Sequence, residues 1–411
     1  MPLVWLDGCS RDGPAGGVRV GGPLAGVRVL DLTRLLPGGY ATLMLADLGA
    51  DVVKVEEPGK GDYIRWTPPM VGDMSAAHIA LNRNKRSITL NLKHEEGRDL
   101  LLRLAERFDV LIESFRPGVL DRLGLGRDVL RGRNPRLVVC AITGYGQDGP
   151  RANAAGHDVN YIGYGGILGV TGSADGPPVI PGVQVGDLGG GAANAVIAIL
   201  AALHRRSVTN EGDFCDVSML DGVVSWLSIH AAEFVATGLA PVPGSMPLSG
   251  RYPCYRVYPA ADGHLALGAL EPHFWRELCS ALDRDDLADD AFATGARAAE
   301  VAAQLAAIFS SKTRSEWMRE LDGLDVCLAP VNDFAETFAD EQVRARDMVI
   351  EAELPDGRRW THVGNPVRLA GAPADVLRLA PPALGEHNRA VLAEAGIDSR
   401  ELERLRAGNI V

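Results

Sequence analysis

The chain has 411 residues, of which 46% are hydrophobic and 23% charged, and this composition excludes intrinsic disorder as its main state. Its formal net charge of −12 argues against a protein that binds nucleic acid or a membrane surface through general basic charge. Glycine accounts for 48 of the 411 residues, which is about 12% against a usual share of about 7%. The position of this excess along the chain is therefore informative.

Residues 1–24 contain no basic stretch followed by a long apolar run, so we expect a flexible N-terminal extension and no signal peptide. Six cysteines without a CxxC pair or Cys/His metal spacing predict reduced thiols, a cytoplasmic location and no metal site. The longest apolar stretch, residues 192–203, is shorter than the roughly 20 residues of a transmembrane helix. It is interpreted as a buried core helix.

The first predicted elements form a βαβ unit. Apolar runs at 27–32 and 51–56 predict strands, and residues 40–48 between them predict a helix. The same alternation continues with a strand at 87–92, an amphipathic helix at 95–107, and strands at 110–113 and 137–142. This pattern predicts a doubly wound α/β domain with a parallel sheet.

The composition changes between residues 156 and 191, where 12 of 36 residues are glycine. Backbone rather than side chains is expected to make close contacts there. Apolar helices are predicted at 191–206 and 222–237, and a stretch rich in proline and glycine at 238–253 predicts a crossing between domains.

The following residues predict a smaller α+β domain, which begins with a β-hairpin at 255–270 and continues with helices at 271–282, 298–309 and 314–321. The expected organisation is an extension at 1–24, a large α/β domain at 25–228, a linker at 229–253, the small domain at 254–335, and a return linker with a C-terminal segment at 336–411 that packs on the large domain.

Several basic residues lie at or beside predicted strand ends. They are Lys54, Arg83, Lys85, Arg86 and Arg116. Ligands of a parallel α/β domain bind at the carboxyl edge of the sheet, so this set indicates a phosphate-bearing anion, although solvated surface charges are the alternative. Neither the dinucleotide-binding form of GxGxxG nor GxxxxGK[ST] is present, which argues against nicotinamide cofactors and P-loop nucleotides.

Three further residues are suited to acid–base chemistry. His157, in the sequence AGHD, titrates near neutral pH and is either a general base or a structural histidine. Asp187 precedes the predicted helix at 191–206, where it would cap that helix or lie beside free N–H groups. Glu271 follows a predicted strand, and it would either cap the next helix or orient a catalytic histidine.

Long, ordered motifs resemble the class III CoA-transferase family, also called CaiB/BaiF, over nearly the whole chain from about residue 23. The motifs are PLAGVRVLDL, ADLGADVVKVEEPGKGD, LNRNKRSITLNL, DVLIESFRPGVLDRLGLG, NPRLVVCAITGYGQDGP, AGHDVNY, VGDLGGG and GALEPHFW. AGHD together with GALEPHF is most similar to the α-methylacyl-CoA racemase branch of that family.

The resemblance implies an α/β fold with a Rossmann-like large domain plus a smaller α+β domain, in an interlocked ring-shaped homodimer. It implies an acyl-CoA thioester as substrate, with CoA held on the large domain and no tightly bound cofactor. The active site is then expected between domains of the two subunits, and Glu271 would come from the partner subunit.

The racemase branch implies that His157 and Asp187 remove and return a proton at the carbon next to the thioester. Glu271 would orient His157, and backbone N–H groups of Asp187 and the following glycines would stabilise the enolate. The alternative is a CoA-transferase in which Asp187 forms an aspartyl-CoA intermediate, and the sequence LNRNKRS and the long loop at 63–78 are typical of transferases. A non-catalytic CoA-ester binding protein is the third hypothesis.

The family pattern also assigns residues to CoA. Lys54 and Arg116 are expected at the phosphates, followed by Arg83 and Arg86, because guanidinium groups suit phosphate recognition. Leu36 and Pro37 are expected beside the adenine or pantetheine, and Tyr145 and Gly146 beside the thioester. The glycines between His157 and Asp187 would allow close approach of backbone to the thioester.

Overall fold

The computed structural model describes residues 21–173, 175–371 and 377–411. Most of the predicted N-terminal extension, 1–24, lies outside the described residues. The chain divides into two compact units, of which the second comprises 166–181 and 227–341 and the first comprises the remainder. The segment 166–181 was expected in the large domain, and the predicted linker at 229–253 falls within the second unit and contains a helix.

The strands of the described residues are β1 (Arg28–Asp31), β2 (Asp51–Glu56), β3 (Met70–Val71), β4 (Met74–Ser75), β5 (Lys85–Thr89), β6 (Val110–Glu113), β7 (Val138–Thr143), β8 (Phe214–Ser218), β9 (Tyr255–Ala260), β10 (Gly263–Gly268), β11 (Leu328–Pro330), β12 (Val349–Glu353) and β13 (Arg359–Val363).

The α-helices are α1 (Leu35–Asp47), α2 (Ala76–Asn82), α3 (Glu95–Ala105), α4 (Val119–Arg122), α5 (Arg127–Arg133), α6 (Asp158–Tyr164), α7 (Ile167–Val170), α8 (Asn194–Thr209), α9 (Met219–Ser225), α10 (Ser228–Thr237), α11 (Pro272–Ala281), α12 (Gly295–Phe309), α13 (Arg314–Glu320), α14 (Phe334–Ala339), α15 (Glu341–Ala345), α16 (Asn388–Glu394) and α17 (Ser399–Ala407). A π-helical segment, Val185–Ala193, runs directly into α8.

The first unit is built on a six-stranded sheet in the order β5-β2-β1-β6-β7-β8. Every neighbouring pair in it is parallel, as the alternation of strands and helices predicted. The order reverses between β1 and β6, so the carboxyl ends of these two strands border the switch-point crevice where ligands of doubly wound sheets bind. The edge strand β8 was not predicted, because it is short and its apolar residues are interrupted by Asp216.

Apolar side chains cover both faces of this sheet. Successive residues of a strand point to opposite faces, so Leu30 joins one core cluster, whereas Val29 joins the other. The C-terminal helices contribute Val391 and Leu405 to the first cluster, and α8 contributes Ile199 to the second. The C-terminal segment therefore completes the core of the first unit.

The π-helical segment and α8 form one apolar helix, Val185–Thr209, of 25 residues, in which an 18-residue window has a mean hydropathy of 1.5. By length and composition this helix could cross a bilayer, although the sequence predicted an apolar run too short to do so. The bent pair formed by α9 and α10 passes the same test. Core helices of globular proteins share these properties, and Ala195 and Ile199 of α8 are buried in the sheet core.

The second unit contains the antiparallel sheet β11-β10-β9. The predicted hairpin is confirmed, since β9 pairs with β10 around Ala261 and Asp262. Helices α11, α12 and α13 pack on this sheet through a core that includes Trp275, Phe309 and Trp317. The hairpin of β12 and β13, which belongs to the first unit, was not predicted.

Candidate active site

A cleft of about 230 Å³ opens at the carboxyl edge of the parallel sheet, where the order of strands reverses. We call it the central cleft. Its lining comprises Arg34, Leu35, Leu36, Pro37, Ser114, Phe115, Arg116, Pro117, Ile142, Thr143, Gly144, Ala152, Ala154, Ala155, Gly156, His157, Tyr161, Asp187 and Met219. Residues that follow β1, β6 and β7 thus meet the start of α6 and the π-helical segment.

His157 and Asp187, which are 30 positions apart in the sequence, both line the central cleft. His157 immediately precedes α6, and its backbone N–H donates to Asn160 Oδ1 at 3.0 Å, which fixes the start of the helix. The His157 side chain is exposed in the single chain. Its imidazole can therefore exchange protons with a group bound in the cleft.

The carboxyl group of Asp187 is half-buried in the first turn of the π-helical segment. Burial raises its pKa to about 6, the neighbouring Asp158 carboxylate contributes in the same direction, and His157 opposes the shift. Asp187 therefore changes protonation state close to the pH range in which histidine does. Paired groups of this kind suit acid–base work near neutral pH.

Asp158 holds the backbone of Asp187 in place. Its Oδ1 accepts the Asp187 N–H at 2.9 Å, and the Asp158 side chain is buried. This bond corrects the prediction that the Asp187 N–H would stabilise an enolate, because that donor is already engaged. Nor does Asp187 cap α8, since the π-helical segment places it seven residues before the first residue of that helix.

The glycines next to Asp187 allow chain segments to pack closely. A Cβ added at Gly190 would lie 2.6 Å from the Met219 carbonyl oxygen, and one added at Gly222 would lie 2.4 Å from the Gly190 carbonyl oxygen. A Cβ at Gly189 would lie 1.8 Å from the Trp226 ring. Gly189 and Gly190 therefore serve helix packing behind Asp187, whereas the sequence interpretation assigned the glycines of region 156–191 to close approach of backbone to a thioester.

Tyr161 lies between the two acid–base residues and was not predicted. Its hydroxyl donates to the Gly156 carbonyl oxygen at 2.6 Å, and its ring meets the edge of Tyr145 at 5.2 Å. Burial raises the pKa of Tyr161 to about 12, with a further contribution from the Asp187 carboxylate. Tyr161 therefore remains neutral and holds the loop that carries His157.

Tyr145 and Gly146 were expected beside the thioester, but among the described residues neither lines the central cleft. Both are buried. The Tyr145 ring packs against Tyr161 and Tyr164, and the Gly146 N–H donates to Thr143 Oγ1 at 3.0 Å. Gly144, which precedes Tyr145, lines the cleft instead, and a Cβ added there would overlap the Tyr161 ring.

A second groove of about 230 Å³ lies on the same unit. Its lining comprises Leu32, Thr33, Arg34, Val55, Glu56, Glu57, Gly61, Asp62, Leu90, Asn91, Leu92, Lys93, Phe115, Val119 and Leu123. Arg34 and Phe115 line both spaces, so they form a shared wall. The Arg34 guanidinium lies 5.6 Å from the centre of the Phe115 ring.

Three of the predicted phosphate ligands are instead paired within the protein. Lys54 is 1% exposed, and its ammonium contacts Asp62 at 2.9 Å. Arg83 is 2% exposed and forms a two-pronged ion pair with Asp47. Because these cations already have carboxylate partners in the interior, they are not placed to bind a phosphate in solution.

Arg86 is the third predicted phosphate ligand that is paired within the protein. Its guanidinium makes two bonds to Asp51, at 2.9 and 2.6 Å, and one to Glu394 at 3.1 Å. It thereby ties β5 to β2 and to α16. Lys85, also in the basic set, is fully buried and donates to Thr42 Oγ1 and Asn82 Oδ1.

Arg116 is exposed and lines the central cleft, and within the described part of the chain its guanidinium has no hydrogen bond or ion pair. Leu36 and Pro37 line the same cleft from the first turn of α1. Arg34 and Lys93 are basic residues of the grooves that sequence reasoning missed. Both follow a predicted strand, which was the signal that could have identified them.

Glu271 belongs to the second unit, where it directly precedes α11. Its side chain is exposed and makes no capping hydrogen bond to that helix. Capping therefore does not account for this carboxylate. Among the described residues, no group of three or more His, Cys, Asp or Glu side chains is arranged to hold a metal ion.

Comparisons with known proteins agree with the geometry. The family model for CoA-transferase family III matches residues 24–388. The succinyl-CoA:mesaconate CoA-transferase of Haloarcula marismortui is 37% identical over 92% of this chain and 98% of its own length. The human succinyl-CoA:glutarate CoA-transferase is 35% identical over 95% of this chain and 90% of its own length.

The mouse α-methylacyl-CoA racemase is 34% identical over 94% of this chain and 97% of its own length. Among solved structures, a CaiB/BaiF family protein from Brucella suis has a TM-score of 0.79 at 35% identity and covers 91% of this chain and all of its own. Transferases and racemases thus both occur among relatives of similar identity. The chain belongs to CoA-transferase family III, also known as CaiB/BaiF.

Proposed function

We propose that this protein is an acyl-CoA racemase or epimerase that inverts the carbon next to the thioester of a 2-methylacyl-CoA. The observation that carries the proposal is the presence of His157 and Asp187 in one cleft, with the pKa of Asp187 raised to about 6. A carboxyl group with a raised pKa and a histidine imidazole in one cleft can act as acid and base in turn. The occurrence of a racemase among the relatives supports the same reading.

In the proposed mechanism one of the two residues removes the α-proton and the other returns a proton to the opposite face. The electron pair of the C–H bond moves into an enolate, whose negative oxygen needs hydrogen-bond donors. The Asp187 N–H is occupied by Asp158. The Asn160 and Tyr161 N–H groups donate to the His157 carbonyl oxygen. The N–H groups of Asp158 and Val159, at the start of α6, are the proposed donors next to His157.

The CoA part of the substrate would lie across the shared wall formed by Arg34 and Phe115. The second groove has Lys93 at its rim in an exposed ion pair with Glu57 at 2.9 Å, and it suits a nucleotide, whereas the central cleft suits the pantetheine and thioester. Arg116 is the proposed phosphate contact that faces the cleft. Phe115 offers an aromatic face for the adenine.

Glu271 is proposed to act from the partner subunit of a homodimer, where it would orient His157 and stabilise its cation. An exposed carboxylate at the start of α11 without a capping role supports this assignment. Large apolar side chains are also exposed on the single chain, including Ile229 at 70% and Val235 at 82% on α10. Such a surface is typical of an association interface.

A CoA-transferase is the second candidate, favoured by the transferases among the relatives and by the half-buried carboxylate of Asp187. Asp187 would attack the thioester carbonyl, release CoA thiolate and form an anhydride. The thiolate would then attack the Asp187 carbonyl, release the donor carboxylate and leave an aspartyl-CoA thioester for the acceptor acid.

One experiment separates the candidates. The protein is incubated with a 2-methylacyl-CoA in deuterated water, with no acceptor acid present. The racemase proposal predicts deuterium at the α-carbon together with loss of optical purity. Absence of exchange, combined with a CoA-dependent adduct at Asp187 that hydroxylamine or borohydride traps, would establish the transferase. Binding of CoA esters without either reaction would indicate a non-catalytic binding protein.

A further inference from the structure

Lys54 and Asp62 form an ion pair that the proposed chemistry does not use. Their charged atoms are 2.9 Å apart and both side chains are 1% exposed. Removing two charges from water is costly, and replacing a buried ion pair by apolar residues is often neutral or stabilising. The fold alone therefore does not explain this pair, and its contacts suggest another role.

The pair holds the backbone on both sides of Arg34. Lys54 Nζ donates to the Thr33 carbonyl oxygen at 3.0 Å. The two carboxylate oxygens of Asp62 lie 3.2 and 3.3 Å from the Leu35 nitrogen, whose N–H they accept. The N–H of Arg34 itself donates to Ser114 Oγ at 3.0 Å. Each of three consecutive residues is thus fixed by a separate hydrogen bond.

The conformation held in this way is an unusual one. Leu35 has a φ of 60°, in the left-handed region that residues with a side chain rarely adopt. Such a conformation persists only where the surroundings impose it, and it is frequent at ligand sites. The hydrogen bonds from Leu35 to Asp62 supply that constraint, because they place the N–H in this orientation.

The constrained segment carries the basic residue of the shared wall. The Arg34 guanidinium lies 5.7 Å from the centre of the Tyr63 ring and 5.6 Å from that of Phe115. Tyr63 directly follows Asp62, so the same short loop fixes the backbone of Arg34 and provides one aromatic neighbour of its side chain. A shift of this loop would move the guanidinium relative to both grooves.

We infer that the buried Lys54–Asp62 ion pair is a positioning device that holds Arg34 in place to bind an anionic group of the CoA thioester. Lys54 and Asp62 act through Arg34: Asp62 borders the second groove, but its side chain is 1% exposed and its carboxylate is engaged by Lys54 and by the Leu35 N–H. This inference rests on the proposed function, since it takes a CoA ester as the ligand of the two grooves. It predicts that loss of the pair weakens CoA binding more than it slows the chemical step.

The test replaces both charges, Lys54→Met with Asp62→Leu, so that no unpaired charge remains buried. CoA affinity is measured by isothermal titration calorimetry, and kcat and KM are measured with the acyl-CoA substrate. The inference predicts a Kd about tenfold weaker and a matching rise in KM, with kcat changed by less than about threefold. Circular dichroism and the melting temperature report on folding.

The matched control is Arg83→Met with Asp47→Leu, which removes an equally buried ion pair whose atoms line neither groove. Its CoA affinity is expected to stay within about twofold of the wild type. Equal affinities of the Lys54/Asp62 variant and the wild type would overturn the inference. A loss of affinity of the same size in both variants would also overturn it.

If the double variant fails to fold, Asp62→Ala carries the test, because it removes both the ion pair and the acceptor of the Leu35 N–H, and an unchanged Kd in the folded single variant overturns the inference. Failure of the proposed function has a different signature. If the wild type does not bind CoA, the proposed ligand is refuted. If the wild type and the Lys54/Asp62 variant bind CoA with equal affinity, only the positioning role is refuted.

Discussion

Asp158 Oδ1 accepts the backbone N–H of Asp187 at 2.9 Å, so a buried carboxylate both holds and electrically influences the candidate catalytic carboxyl group. Burial is the larger cause of the raised pKa of Asp187, and the negative charge of Asp158 adds to it. His157 lowers the pKa of Asp187. The neighbours of Asp187 thus keep its pKa near 6, where it can both accept and donate a proton.

Substitution of Asp158 by asparagine should separate these two roles. The asparagine side chain still offers an oxygen to the Asp187 N–H, but it lacks the negative charge that disfavours ionisation of Asp187. The pKa of Asp187 should fall, so the acidic limb of kcat/KM for the reaction that Asp187 starts as base should move to lower pH. The measurement is the pH profile of α-proton exchange with each enantiomer.

Asp158→Ala is the control for the hydrogen bond. It removes the acceptor as well as the charge, and we expect it to lower kcat by about tenfold or more, because Asp187 is no longer held in place. An acidic limb that does not move in Asp158→Asn would show that the charge of Asp158 has no influence on Asp187.

Packing of glycine against glycine beside the π-helical segment gives a second prediction. Gly222→Ala would place a Cβ 2.4 Å from the Gly190 carbonyl oxygen. Backbone must move to relieve this overlap, so we expect a loss of about 1–3 kcal/mol in the free energy of unfolding. Because Gly190 is near Asp187, the activity should fall as well. Denaturant unfolding and exchange assays measure the two effects.

Gly132→Ala is the matched control, since it lies in helix α5 and an added Cβ there meets nothing within 4 Å. Alanine is favoured over glycine in a helix by up to about 1 kcal/mol. The control should therefore be neutral or slightly stabilising, with unchanged activity. Equal destabilisation in both variants would contradict the packing role of Gly222.

Arg116 and Arg86, two of the three arginines predicted as CoA ligands, should now behave differently. Arg116 is exposed in the central cleft, and Arg116→Ala should weaken CoA binding by about tenfold. Arg86→Met should instead lower stability by about 1–3 kcal/mol, through loss of its bonds to Asp51 and Glu394, and leave CoA affinity unchanged. Calorimetry and thermal unfolding distinguish these outcomes, and equal CoA affinities of Arg116→Ala and wild type would exclude Arg116 from the site.

Glu113, at the end of β6, predicts a pH dependence of stability. Burial raises its pKa from 4.5 to about 7, although its Oε2 accepts the Phe115 N–H. Between these values the folded chain keeps a proton that the unfolded chain has released, so stability falls as pH rises through this window. Above about pH 7 the loss is complete.

Glu113→Gln removes this titration but keeps an oxygen for the Phe115 N–H. The free energy of unfolding of the variant minus that of the wild type should rise by about 2–3 kcal/mol from pH 5 to pH 8. Urea unfolding at the two pH values measures the difference. The same free-energy difference between variant and wild type at both pH values would contradict the assignment.

Much of the sheet was predictable from sequence, because its buried strands are continuous apolar runs separated by helical periodicity. Edge strand β8 and the hairpin of β12 and β13 were not, since their partly exposed residues carry a weak pattern. The approach of His157 to Asp187 also depends on tertiary folding. Only the resemblance to a known family could connect residues so far apart.

The basic residues show why a set of charges at strand ends is ambiguous. Lys54 and Arg116 look alike in sequence, yet one is fully buried against Asp62 and the other is exposed in the cleft. The difference lies in the carboxylates that folding brings beside them. Sequence alone does not reveal that Asp62 and Asp47 are the partners of Lys54 and Arg83.

The most direct test of the central claim measures α-proton exchange in deuterated water for each pure enantiomer of a 2-methylacyl-CoA with His157→Gln and Asp187→Asn. If these residues act from opposite faces, each variant should lose exchange with one enantiomer, and the two losses should be complementary. Exchange that persists for both enantiomers in either variant, or that is lost from the same enantiomer in both, would contradict a two-base mechanism.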